Sequence, residues 1–234
     1  MPLAGNLMRC QPCLPQDFVQ ALDTLSESEV TRLLRKSPCS TRFVYGAFML
    51  PTVLKYFLHA HQSVNITQKM TPAILYGHEL CRFSGASIPV IVPSSKPSAL
   101  VEGILLLDLD RDQQNATHEV ESGLMDLAHV EVQVPQTDIA GPHHLYYRQT
   151  VQTGTFTWKG SQEGLVPIEA TMWSPDNFLQ GPFYRHMAQY QNWALDGSLS
   201  SRTQLCIDQD TDKDRLGVST AAAKHGTRLF ERPT

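Results

Sequence analysis

Apolar positions change their period along this chain, and the changes mark its elements. Phe18, Ala21, Leu22 and Leu25 recur at helical spacing behind Pro15-Gln16-Asp17. Val30, Leu33 and Leu34 do so again behind Ser26-Glu27-Ser28-Glu29, and Ser37-Pro38 ends the run. Residues 1–40 therefore read as a helical extension. Organised signal begins at Arg42, where Phe43-Val44-Tyr45 is a short β-prone run broken at Gly46. Pro51 then sits where a first helical turn tolerates proline, and Val53, Leu54, Phe57, Leu58 and His61 mark one helical face. Strands are expected at Leu80–Phe83, Pro89–Val92, Val101–Leu109, His129–Val134, Thr155–Trp158 and Ile168–Trp173. In the fourth of these, Val130, Val132 and Val134 alternate with His129, Glu131 and Gln133, the pattern of a half-buried strand. A helix is expected from Pro175, with Phe178, Met187, Tyr190 and Trp193 available to pack and Pro182 interrupting its early part.

About six or seven short strands, a crossover helix after the first and a C-terminal helix predict an α/β (α+β) fold, a small mixed β-barrel spanning residues 41–195. Beyond it, residues 196–234 turn polar and read as a disordered tail. Asp208, Asp210, Asp212 and Asp214 alternate there without the glycine and terminal glutamate that a calcium loop requires. No internal repeat is evident.

Composition narrows the function classes. The 234 residues are 41% hydrophobic and 18% charged, as in a soluble globular protein. A net charge of -4 gives no electrostatic case for nucleic acid or an anionic membrane as partner. No run approaches the roughly 20 apolar residues that cross a bilayer, and the start MPLAGNLMRC lacks the pattern of a secretory signal. A cytoplasmic protein with reduced thiols is the expectation, and the sequons at Asn65 and Asn115 are then incidental. Cys10 and Cys13 form a C-x-x-C pair, but no second ligand pair accompanies it, so no metal is expected. His143-His144 read as part of a Gly-Pro-bounded loop. There is no Gly-x-Ser-x-Gly elbow, no phosphate-binding P-loop and no dinucleotide fingerprint.

One positive signal remains. Phe43-Val44-Tyr45-Gly46-Ala47-Phe48-Met49, followed by Pro51 and a helix, resembles the opening signature of the AIG2-like γ-glutamyl cyclotransferases. Ala73-x-Leu75-x-Gly77-x-x-Leu80-x-Arg82 is similar to the family's next hairpin, and Gly85-x-x-Ile88-Pro89-Val90-Ile91 to its Gly-x-x-Tyr-Pro-x-Ile segment. Val101-x-Gly103-x-Leu105 and Thr155-Phe156-Thr157-Trp158 resemble two later strands.

The resemblance implies an intramolecular aminolysis. The free α-amine of a γ-glutamyl group attacks its own side-chain carbonyl, closes 5-oxoproline and expels an amine. It implies substrate contacts from Tyr45, Gly46, Ala47, Phe48, Met49 and Pro89, with the backbone amides of Gly46, Ala47 and Phe48 suited to anions. It also implies a glutamate as base, expected at Glu121 with Glu119 as the alternative; both could instead be ordinary exposed charges. No cofactor is implied, and the partner is a small γ-glutamyl compound. Ala47 replaces the family's usual hydroxyl residue, Ile88 stands where tyrosine is common, and Leu127 takes the place of a tyrosine in a late strand. These departures leave two further readings open, namely a family member repurposed for a small-molecule biosynthetic intermediate and a non-catalytic binding protein on the same fold.

Overall fold

The structure, a computed structural model, describes residues 14–23, 25–36, 40–61, 63–83, 88–137 and 146–193. The Cys10–Cys13 pair, Gly85, His143-His144 and the expected tail of residues 196–234 lie outside the described residues.

Two short helices come first, α1 (Gln16–Ala21) and α2 (Glu27–Lys36). Phe18 and Ala21 of α1 and Val30 and Leu33 of α2 are buried, so each helix docks by the apolar face its spacing implies. Strand β1 (Arg42–Val44) leads through a turn into α3 (Pro51–Phe57), with Pro51 in the first helical turn. Then follow β2 (Met70–Tyr76), β3 (His78–Phe83), β4 (Pro89–Pro93) and β5 (Leu100–Leu106). Helix α4 (Arg111–Glu121) precedes a long hairpin of β6 (Met125–Thr137) and β7 (Tyr146–Trp158), and the chain closes with β8 (Leu165–Pro167), α5 (Asp176–Leu179) and α6 (Pro182–Trp193).

Five strands close a barrel in the order β1-β5-β2-β6-β7, and β4-β3-β8 form a separate sheet. The mixed barrel with its crossover helix is thus as the strand pattern predicts, while eight strands rather than six or seven are present among the described residues. The barrel is mixed because β1 runs antiparallel to β5 but parallel to β7, bridging at Arg42 and Gly154. Phe43, Leu75, Val101, Leu105, Val132 and Val134 belong to one buried cluster, and Val44, Ile104 and Leu106 to a second that also takes in Leu50, Val53 and Leu54 around α3. Strand alternation sends neighbouring residues to these two sides.

Several expected elements differ. Residues 73–82 do not form a hairpin: β2 pairs β5 and β6, whereas β3 pairs β4 and β8, and Gly77 at φ +70 lets the chain step between the two sheets. Ile168–Trp173 is not a strand, because β8 already occupies the free edge of β3 and only Met172 bridges Glu102. The strand expected to reach Leu109 ends at Leu106. Leu107 and Leu109 instead donate to the carbonyls of Lys69 and Ser40, and Asp108, held by Lys36 and Lys69, adopts φ +53. The C-terminal helix is two helices, since Pro182 starts the second rather than interrupting one.

Gly103 sits where β5 passes β1, and a Cβ there would stand 2.5 Å from the Val44 carbonyl oxygen and 2.6 Å from the Phe43 ring. Gly103→Ala should therefore lower stability by about 1–3 kcal/mol, the usual range for overpacking. Urea unfolding of the two proteins measures it.

Candidate active site

The end of β1 positions the first part of the site. Tyr45 is buried, and its hydroxyl donates to the Phe156 carbonyl at 2.8 Å, with the Met125 sulfur 3.2 Å away, which ties the β1 end to β7 and β6. Burial pushes the Tyr45 phenol up from its usual range, and the charge of Glu121 adds to the rise, so this hydroxyl stays protonated. Gly46 follows at φ +64 and starts a single 3₁₀ turn, Gly46–Met49. The first amides of such a turn have no partner within it and remain available as donors. A Cβ at position 46 would come within 2.6 Å of the Pro89 ring, so both the backbone conformation and the close approach of β4 require glycine.

The second part comes from α4. Its N-terminus is fixed by a capping box, in which the Asp110 carboxylate accepts from the Gln113 amide at 2.8 Å and Gln113 Oε1 accepts from the Asp110 amide at 3.1 Å. The helix is polar, and Thr117 is its one buried residue. Glu121 is the last residue of α4 and lies one turn beyond Thr117 on the same face. Burial alone raises its carboxyl from 4.5 to about 7.

These parts meet around a cavity of about 250 Å³ lined by Tyr45, Gly46, Ala47, Phe48, Pro89 and Glu121. Met49 does not line it, being fully buried in the cluster under α3. Glu119 does not line it and instead faces an adjoining cleft of about 470 Å³, which shares Phe57 and Val120 with the cavity and is lined also by His59, Asp112 and Tyr190. Two residues apart on a helix means roughly 200° around its axis, so the two glutamates point to different sides, while Val120 between them lines both hollows.

Apart from Ile88, no motif marks the rest of the lining. Phe57, Trp173, Phe178 and Phe183 supply an aromatic wall, with Val120, Met125 and Ile88 beside it. Trp173 packs edge-on to Phe178 at 5.7 Å, and Phe178 to Phe183 at 6.2 Å. Phe178 reads as an ordinary packing residue in the sequence, because only the return of the chain after β8 brings it and Phe183 to the cavity. Ile88 and Phe183 remain 62% and 52% exposed there, which leaves apolar surface in water at the opening. Among the described residues no three His, Cys, Asp or Glu side chains converge as metal ligands would, and no helix is long and apolar enough to cross a membrane.

The cavity can orient a small molecule between backbone donors and one carboxyl poised to exchange a proton near neutrality. The model of a family described as gamma-glutamyl cyclotransferase, AIG2-like, matches residues 42–193. Among solved structures, one Arabidopsis thaliana protein is 18% identical, with 68% of this chain and 92% of that chain covered and a TM-score of 0.39. An uncharacterised Pyrococcus horikoshii protein is 15% identical over 62% of this chain and 96% of its own, at a TM-score of 0.38. A structure titled gamma-glutamyl cyclotransferase is 16% identical over 63% and 85%, also at 0.38. No curated protein matches the chain.

Proposed function

The chain belongs to the AIG2-like γ-glutamyl cyclotransferase family, and we propose that its cavity forms 5-oxoproline from a γ-glutamyl amine or amide. The observation that carries this reading is the pairing of a mostly buried carboxyl, Glu121, with the Gly46 turn around one cavity. The glutamyl unit folds so that its α-amine nitrogen meets its own δ-carbonyl carbon. The amides of Gly46, Ala47 and Phe48 face the negative charge on carboxylate or carbonyl oxygen. Glu121, as carboxylate, takes the proton of the attacking amine and returns it to the leaving nitrogen as the old C–N bond breaks and the lactam C–N bond remains. Tyr45, held protonated and tied to Phe156, fixes the strand end that presents the turn.

The leaving group then faces the aromatic wall, so an apolar amine suits this cavity better than a charged dipeptide. Incubating the protein with γ-glutamyl anilide, γ-glutamyl-phenylalanine and glutathione, and measuring 5-oxoproline, tests the reading. The expected order is the apolar amides first, by about 10-fold or more for each additional well-buried group. Folded protein that releases 5-oxoproline from none of them contradicts it. The exposed Ile88 and Phe183 at the mouth favour one variant of the reading, in which the γ-glutamyl group rides on a larger apolar scaffold that extends out of the cavity.

A further inference from the structure

We propose that a second cavity, between the start of β1, the β6–β7 hairpin and α4, binds a small oxyanion through Arg42. This cavity measures about 300 Å³ and is lined by Thr41, Arg42, Gln114, His129, Gln152 and Thr153. Arg42 is 6% exposed, yet its Nε is buried with no hydrogen-bond partner. Among the described residues no carboxylate pairs with it. Burial draws its pKa down. A desolvated cation with no counter-charge is among the most unfavourable arrangements a fold can contain, and it is normally relieved by an anion.

The surroundings accommodate the guanidinium and leave donors beside it. Its carbon stacks 5.2 Å from the centre of the Phe156 ring, so one face is covered, and the residue itself lines the cavity. A Cβ on Gly154 would collide with the guanidinium, so the glycine keeps room for the head group. Thr41 Oγ1 donates to the Gln152 carbonyl at 3.4 Å and Thr153 Oγ1 to the Gly154 carbonyl at 3.5 Å. Both distances are at the outer limit for a hydrogen bond, and either hydroxyl can turn to a better acceptor. Gln152 is held by Glu131 at 2.8 Å, which keeps a carboxylate beside the cavity and disfavours highly charged anions. A planar fork flanked by hydroxyls matches a carboxylate or a phosphate group. The site is independent of the reaction proposed for the Glu121 cavity.

Thermal unfolding of the full chain, titrated separately with sodium acetate and inorganic phosphate against sodium chloride at constant ionic strength, tests it. The expected result is a saturable rise in Tm, about 5 °C or more at roughly 100 times Kd. The better of the two anions identifies the carboxylate or the phosphate as the preferred group. Arg42→Met should abolish the rise and unfold no lower than wild type without anion. A flat Tm in both anions, or an unchanged rise in Arg42→Met, overturns the proposal. Should Arg42→Met not fold, the Arg42 Nε–H resonance of the wild-type protein followed through the same titrations gives the answer: a saturable shift supports the site, and no shift removes it.

Discussion

Glu121→Gln should reduce 5-oxoproline formation at least about 100-fold, the lower range for losing a positioned general base, while making the protein more stable at neutral and higher pH. Glutamine keeps the shape of the side chain and its place at the end of α4, but it cannot accept the amine proton. The stability effect follows from the same burial that raises the carboxyl from 4.5 to about 7. Between those values the folded state holds a proton that the unfolded chain has released, so wild-type stability falls as pH rises through this window and levels off above it. The full shift corresponds to an upper bound of about 3 kcal/mol. Glu121→Gln should lack that decline: near pH 4 the two proteins unfold alike, and at pH 8 the variant is the more stable. Urea denaturation at the two pH values, beside the activity assay, measures both effects. Loss of activity together with lower stability at pH 8 would mean that Glu121 is a structural residue instead. Glu119→Gln, whose side chain faces the adjoining cleft, should leave both quantities near wild type.

Gly46→Ala should be the second severe change. A left-handed φ costs an L-residue about 1–2 kcal/mol, and the added methyl would lie 2.6 Å from the Pro89 ring. The turn or β4 must move, and the backbone of residues 46–48 that lines the cavity moves with it. Activity should drop about 100-fold, in line with the effect of small misplacements in a preorganised site, with stability reduced by about 2 kcal/mol. A variant as active as wild type would show that the turn does not contact substrate. Comparing kcat with KM separates misplacement, which lowers kcat, from simple loss of binding.

Much of the barrel was legible because its strands alternate. Val132 and Val134 fall on the buried side as the spacing requires, and the Tyr-Gly break after Val44 marks both the end of β1 and the site's turn. What was hidden depended on partners far along the chain. Residues 125–128 contain Asp126 and Ala128, which do not favour strands, yet they pair with Thr155–Trp158 and so belong to the start of β6. Ile168–Trp173 has the apolar content of a strand but finds no free edge. Which glutamate lines the Gly46 cavity was contained in local spacing: Thr117 and Glu121 share a face, and the Asp110-Gln113 capping box fixes where the helix begins. Glu119 belongs to the opposite side on that register. The aromatic wall had no such signal, because Trp173, Phe178 and Phe183 acquire their role only from the chain's return over the barrel mouth.

The proposed chemistry requires an enclosed carboxyl beside the Gly46 turn that exchanges its proton near neutrality. Carbon-13 NMR titration of the glutamate side chains, in wild type and in Glu121→Gln, measures that directly. One carboxyl with a midpoint near 7, missing from the variant and perturbed by added 5-oxoproline, is the predicted result. If every glutamate titrates between about 4 and 5, Glu121 is solvated, and the enclosed base matched to neutral pH that the proposed chemistry requires does not exist.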